Sequence, residues 1–228
     1  MRRLSHLHVV AQPFASPPDL LTSLIGTLSL NELVQAVPNN VPGANHASPN
    51  WQYLSNYGEP RAEGSGFCSY ALSGRRFLSD LDGAKEGNLL DVEVQDSGRV
   101  TLFCGRASDS ASGNQHVVEA GIVTLTRSLV TLAGQLGATM GYGGRWLLAV
   151  GISDLSGKLS AAAVGFSLGR DYPPFSADAY VQGTEAGTIE LLEQPGAVTR
   201  RLVSRLLRGL GNQQNYLLGH LLADTAAT

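Results

Sequence analysis

Leu89-Leu90-Asp91-Val92-Glu93-Val94-Gln95, then Asp96-Ser97-Gly98, then Arg99-Val100-Thr101-Leu102-Phe103-Cys104-Gly105-Arg106: this stretch, residues 89–106, decides the fold. Leu90, Val92 and Val94 fall on one face of an extended chain, and Asp91, Glu93 and Gln95 on the other. Val100, Leu102 and Cys104 alternate with Arg99, Thr101 and Phe103 in the same way. Period two on both arms, with a short glycine-containing connection between them, predicts a half-buried antiparallel hairpin. One face of a sheet therefore rests on a core.

Outward from the hairpin, His6–Gln12 alternates weakly and predicts a first strand. Residues 66–72 (GFCSYAL) predict another. Ser16-Pro17-Pro18-Asp19 has helix-start chemistry before Leu20, Leu21, Leu24 and Ile25, and Ser29 with Glu32 has capping-box spacing for a second short helix. Residues 38–60, rich in Asn, Pro and Gly, predict a long irregular loop anchored by Trp51, Tyr53, Leu54 and Tyr57. Arg75–Leu81 reads as a short turn or helical piece, and Ser108–Asn114 as a polar loop.

The longest helical signal spans Val117–Met140, where Ile122, Leu125, Leu129, Leu132, Ala133 and Leu136 recur at three- and four-residue steps. Gly141 stands at its C-cap. Arg145–Ile152 (RWLLAVGI) predicts a strand buried on both faces, or nearly so. Leu155–Lys158 is a turn, after which Leu159–Phe166 is expected to return as a second hairpin. Thr184–Glu190 is a strand or an approach to a helix. Pro195 suits the first turn of a helix ending near Leu210, before Gly211. Asn212–Ala223 predicts a last helix, and residues 224–228 a frayed tail.

Strands that pair as hairpins, with helices that make no parallel crossovers, predict an α+β fold: a mostly antiparallel sheet with helices packed on one face. No interior segment except 38–60 has linker composition, so residues 1–228 are read as one domain.

Composition bounds the function. The chain of 228 residues carries 16 basic and 19 acidic side chains, a net charge of −3. A protein living on phosphate backbones normally has a basic excess or a concentrated basic face. Charged residues are only 15% of the total, with 27 glycines. The two cysteines, Cys68 and Cys104, sit in apolar segments and form neither a zinc site nor a disulfide framework. The N-terminus lacks a signal-peptide pattern, and no apolar run approaches the roughly 18 residues of a membrane span. The expected address is the cytoplasm, with no membrane partner.

The residues that could carry chemistry are few. His6 and His8 share a strand face, but a metal site needs further ligands. His46, His116 and His220 lie in unrelated contexts. Asp80 and Asp82 have the spacing of a calcium loop without its later ligands. Asp91, Glu93 and Asp109 lack a neighbour that would tune them as acid or base. Gly141-Tyr142-Gly143-Gly144 precedes a strand, whereas a phosphate loop precedes a helix. There is no nucleophile elbow. No catalytic residue, metal site or cofactor is expected. Arg201, Arg205 and Arg208 fall at i, i+4 and i+7 on one face of the 195–210 helix, with Arg200 beside them. Val198, Leu202, Leu206 and Leu210 make the opposite stripe. The arginines are the candidate nucleic-acid contact, weighed against an ordinary solvated helix face.

Four segments together carry a family resemblance: HLHVVAQP near the start, LLDVEVQDSGRVTLFCGRASD, GIVTLTRSLVTLAGQLGATMGYGGRWLLAVGISDLSG, and DAYVQGTEAGTIELLEQPGAVTRRLVSRLLRGLG. In order and spacing they resemble the C-terminal region of bacterial Schlafen/AlbA-type putative ATP- or DNA-binding proteins. In longer members an AlbA-like domain precedes this region and is the basis for inferring DNA binding; this chain is expected to lack it. The resemblance therefore implies an accessory or regulatory module acting through a protein partner, self-association or a small ligand. Direct nucleic-acid binding through Arg200, Arg201, Arg205 and Arg208 is the alternative. A hydrolase using Asp80, Asp82 or Asp109 is the third reading.

Overall fold

The computed structural model describes residues 4–16, 20–21, 61–63, 66–72, 89–111, 114–162, 173–211, 219 and 222–224. The expected helices within 20–37, the loop 38–60, Arg75–Leu81, Asp80 and Asp82, His46, His220 and nearly all of the expected last helix lie outside the described residues.

The opening hairpin forms as its pattern requires. Strands β4 (Leu89–Gln95) and β5 (Val100–Cys104) pair antiparallel, with Leu90 opposite Cys104 and Val94 opposite Val100. The turn closes through Gly98 N–H to Gln95 C=O (2.8 Å) and Gln95 N–H to Arg99 C=O (2.8 Å). Gly98 has φ +83°, and a Cβ there would lie 2.9 Å from Pro13 Cγ. Glycine is required twice over, for the left-handed conformation and for the approach of the neighbouring strand.

This hairpin sits inside a seven-stranded antiparallel sheet. The other members are β1 (Leu7–Pro13), β2 (Arg61–Glu63), β3 (Gly66–Leu72), β8 (Arg145–Ile152) and β10 (Tyr180–Gly187), in the order β10-β8-β1-β5-β4-β3-β2. Helix α1 (Glu119–Thr139) crosses β1 and β5. Helices α2 (Thr188–Glu193) and α3 (Pro195–Gly209) pack beside it, with α3 against β10 and β8. The fold is α+β, and the described helices cover one face of the sheet. Leu7, Val9, Val92, Leu102, Trp146, Leu148 and Val150 point into the core between the layers.

Several segments differ from expectation. Ser108–Asn114 is no polar loop: β6 (Ser108–Ala111) and β7 (Asn114–Val117) form a hairpin. With β9 (Leu159–Ser160) they make a small second sheet. β9 runs parallel to β7 and, among the described residues, does not pair back on β8; residues 163–166 of the expected return strand lie outside them. Gln115, His116 and Val117 are buried in succession, so β7 has no alternation for a reader to find. Helix α1 is enclosed all round over residues 121–130, including Thr124, Thr126, Arg127 and Ser128. Thr126 makes this tolerable locally by donating its hydroxyl to Ile122 C=O at 2.7 Å. Helix α3 begins at Pro195 as expected. Asp224, which the sequence places in a frayed tail, accepts from Gly196 N–H (2.5 Å) and Ala197 N–H (3.2 Å) at the start of α3. Buried Arg127 donates to the adjacent Ala223 C=O at 2.7 Å.

Glu119 opens α1 from a fully enclosed position, and Ala162 N–H donates to its Oε2 at 3.3 Å. Burial raises its carboxyl above the usual glutamate range; the Ser160 hydroxyl and backbone donors, those of Ala161 and Ala162 among them, oppose this. The folded state thus holds this proton more tightly than the unfolded chain. Its contribution to stability is fullest below the unfolded value near 4.5 and is lost as pH rises through the raised one. In Glu119→Gln that segment of the pH–stability curve flattens. Urea midpoints measured from pH 4 upward for both proteins check this; parallel curves would refute it.

Candidate functional site

The arginines singled out from the sequence do share one helix face, but they are not equivalent. Arg201 donates to Glu190 Oε1 (2.6 Å) and to Glu185 C=O (3.1 Å). Arg200 donates to Leu222 C=O at 3.3 Å. Among the described residues no hydrogen bond or ion pair engages Arg205 or Arg208, and both are exposed. Only these two are therefore available to an outside anion. Both act electrostatically on the Tyr180 hydroxyl, which donates to Leu202 C=O at 2.5 Å.

The other polar candidates do not converge. His6 and His8 flank Phe103, with ring centroids 5.6 and 4.8 Å away. Burial, and then the neighbouring His6, hold the His8 imidazole below the usual histidine range. Among the described residues no group of three or more His, Cys, Asp or Glu is placed to hold a metal ion. Asp109 forms an ion pair with Arg106 at 2.7 Å. His116 is enclosed in β7.

Cys104 is buried on the helix side of β5, and burial pushes its thiol up to about 11 against weaker opposing effects from Arg106. The thiolate is the reactive form, so Cys104 is inert at neutral pH. In a Cys68→Ser background, Ellman's reagent at pH 8 should leave the native protein unmodified and titrate one thiol after denaturation. Rapid native labelling would contradict this.

One constellation was invisible in the sequence. Lys158 closes the 155–158 turn, yet it is only 4% exposed. Its Nζ donates to Ser5 Oγ (2.9 Å) and Ser108 Oγ (3.1 Å), which lie 153 and 50 residues away in the chain. Ser5 N–H donates to Ser108 Oγ (2.8 Å), and Ser5 Oγ donates to Asp154 C=O (2.9 Å). Burial lowers the Lys158 ammonium pKa, with Asp154 and Asp178 opposing. An amine beside serine hydroxyls is the raw material of a nucleophile. Here both serines are wholly buried, and the Ser5 proton is committed to a backbone carbonyl. The cluster ties β6, the chain entering β1 and the 155–158 turn together, and it offers a substrate no approach.

The remaining distinctive surface is the sheet face opposite the helices. β8 alternates, with Trp146, Leu148, Val150 and Ile152 buried and Arg145, Leu147 and Ala149 exposed. This corrects the expectation of burial on both faces, or nearly so: on the outer face Arg145, Leu147 and Ala149 are exposed. Leu147 is 39% exposed, and Val181 on β10 is 78% exposed. Register places Val181 beside Gly151, Gly183 beside Ala149 and Glu185 beside Leu147. On the next strand, His8, Val10 and Gln12 continue these rows. Toward β4 the same face turns acidic through Asp91 and Glu93. At its rim Arg145 lies over the Phe14 ring (5.0 Å to the centroid) and reaches Glu185 at 3.3 Å. Among the described residues no helix is long and apolar enough to cross a membrane.

Comparison of the chain with known protein families, with curated proteins and with solved structures finds no match.

Proposed function

We propose that this chain is a non-enzymatic accessory or regulatory module that binds a protein partner, in association with a Schlafen/AlbA-type DNA-binding function. The observation that carries this reading is the uncovered face of β8 and β10, where Leu147, Ala149, Val181 and Gly183 are exposed. Exposed apolar surface set beside polar and charged rows is the composition of a protein-contact patch. The chemistry-bearing side chains support it from the other direction: Lys158 and Cys104 are buried, and Asp109 is ion-paired. The test is reconstitution. A partner recovered with the wild-type chain, identified and purified, should bind the wild type but not Leu147→Lys or Ala149→Arg, with folding verified by circular dichroism. Binding unchanged by both substitutions, or robust turnover by the pure chain on ester, phosphate or nucleotide substrates, would overturn the reading.

Direct nucleic-acid contact is the second reading, favoured only by exposed Arg205 and Arg208. Two phosphate contacts give a slope of about −1.8 in log K against log salt. Oligonucleotide binding with a slope near that value, abolished by Arg205→Ala with Arg208→Ala, would favour nucleic acid over protein.

A further inference from the structure

β10 is an outer strand of the seven-stranded sheet, and its backbone shows which groups face outward. Phe14 N–H donates to Arg145 C=O, so the odd-numbered residues of β8 turn toward β1. The even-numbered ones turn toward β10, where their partners are Tyr180, Gln182, Thr184 and Ala186. Val181, Gly183 and Glu185 therefore direct their N–H and C=O groups away from the sheet. Two contacts bear this out. Arg201 donates to Glu185 C=O at 3.1 Å, and Gln182 Nε2 donates to Gly183 C=O at 2.9 Å. Both are side chains standing where a neighbouring strand's amides would stand. Among the described residues nothing accepts from the outward N–H groups.

Natural sheets blunt such an edge with charged side chains, proline, a bulge, a short strand or a covering helix. β10 has no proline, lysine or bulge; its one charge is Glu185, and Arg201 of α3 reaches only that residue's carbonyl. Its register with β8 is unbroken over eight residues, Tyr180 to Gly187. The edge is also electrostatically marked. Helix α3 runs back along β10, with Arg201 at the Glu185 end and Arg205 and Arg208 at the Tyr180 end. The arginine face and the outward backbone row lie side by side.

Resting on the protein-binding reading above, we propose that the β10 edge and the arginine face of α3 together receive an extended acidic protein segment, which adds to the sheet as a further strand. Main-chain hydrogen bonds to Val181, Gly183 and Glu185 supply binding, and carboxylates meeting Arg205 and Arg208 supply selectivity. Charge decides among the occupants. A second copy paired β10 to β10 would bring two arginine faces together. A nucleic acid would satisfy the arginines, but its phosphates donate nothing to the outward carbonyls.

The probe is a fluorescein-labelled decapeptide of alternating Glu and Val, read by anisotropy at low salt against the full chain. Controls are the Lys-Val counterpart, the acidic peptide N-methylated at alternate residues, and a single-stranded oligonucleotide. The acidic peptide should bind and the Lys-Val peptide should not. N-methylation and Arg205→Glu with Arg208→Glu should each weaken binding by roughly tenfold or more. Gly183→Pro should do the same, because its N–H faces outward and leaves the β8 ladder intact. The charge-reversal pair lies on the surface, so it remains informative if Gly183→Pro folds poorly. Equal binding of both peptides, insensitivity to N-methylation, or binding of the oligonucleotide alone overturns the proposal. A dimer in sedimentation that Gly183→Pro abolishes assigns the edge to a second copy and also overturns it. If the peptide fails while the reconstituted partner still depends on Leu147, only the edge assignment falls; if both fail, the protein-binding reading falls with it.

Discussion

Trp146→Ala should lower stability by about 3–5 kcal/mol, seen as a fall in Tm of roughly 10 °C. Among the described residues Trp146 is the largest side chain wholly enclosed in the core, at the end of β8 beneath α1 and α2. Its ring meets Tyr142 edge-on, with centroids 5.8 Å apart. Its indole N–H donates to Thr188 Oγ1 at 3.0 Å, and that hydroxyl donates onward to Tyr142 C=O at 2.6 Å. Truncation therefore leaves a large cavity and removes the donor that fixes the first residue of α2. The same knot explains Gly137 in the last turn of α1. A Cβ there would lie 2.7 Å from Thr188 Cγ2 and 3.3 Å from Trp146 Cζ2. Gly137→Ala should thus be destabilising alone and much less so with Thr188→Ser, which deletes Cγ2 and keeps the hydroxyl. Chemical denaturation of the four proteins in that cycle measures the coupling. Additive effects would show that α1 and α2 do not meet as described.

The second large effect is expected at Lys158. Lys158→Ala should cost about 2–3 kcal/mol, because it removes a buried stem and the donor shared by Ser5 and Ser108. Lys158→Met keeps the stem and removes only the charge, so its loss should be smaller. The two variants also separate the electrostatics. Burial lowers the folded-state pKa below the unfolded value of 10.5. Between those values the unfolded chain binds more protons, so this group makes stability rise with pH. Below the lowered value the charge is held at a fixed penalty. The wild type minus Lys158→Met difference should therefore move in favour of the wild type as pH rises toward 10.5. A difference independent of pH would mean that Lys158 is solvated.

What was legible in the sequence was local. The 89–106 hairpin declares itself through two alternating arms and Gly98. Helix α3 declares itself through Pro195, a leucine stripe and Gly211. What was missed depends on partners distant in sequence. β8 read as doubly buried because Leu147 and Ala149 are apolar, and periodicity cannot say whether an apolar face is covered. β6 and the first residue of β7 pass for a loop because Ser108–Asn114 is polar and small, and the buried Gln115 and His116 that follow carry no apolar alternation. The Ser5–Lys158–Ser108 cluster joins three segments that no spacing rule connects. The arginine stripe was legible as a stripe. Its division into engaged Arg200 and Arg201 and unengaged Arg205 and Arg208 required Glu190, Glu185 and Leu222 to be placed around it.

Amide exchange along β8 and β10, followed by NMR with and without the reconstituted partner, tests the central claim most directly. In the free chain Gln182, Thr184 and Ala186 should exchange slowly, and Val181, Gly183 and Glu185 quickly. On binding, the outward amides of β10 should become protected and the Leu147 and Ala149 signals should shift. Uniform exchange along β10 in the free chain, or a bound partner that leaves both strands unchanged, would contradict the account.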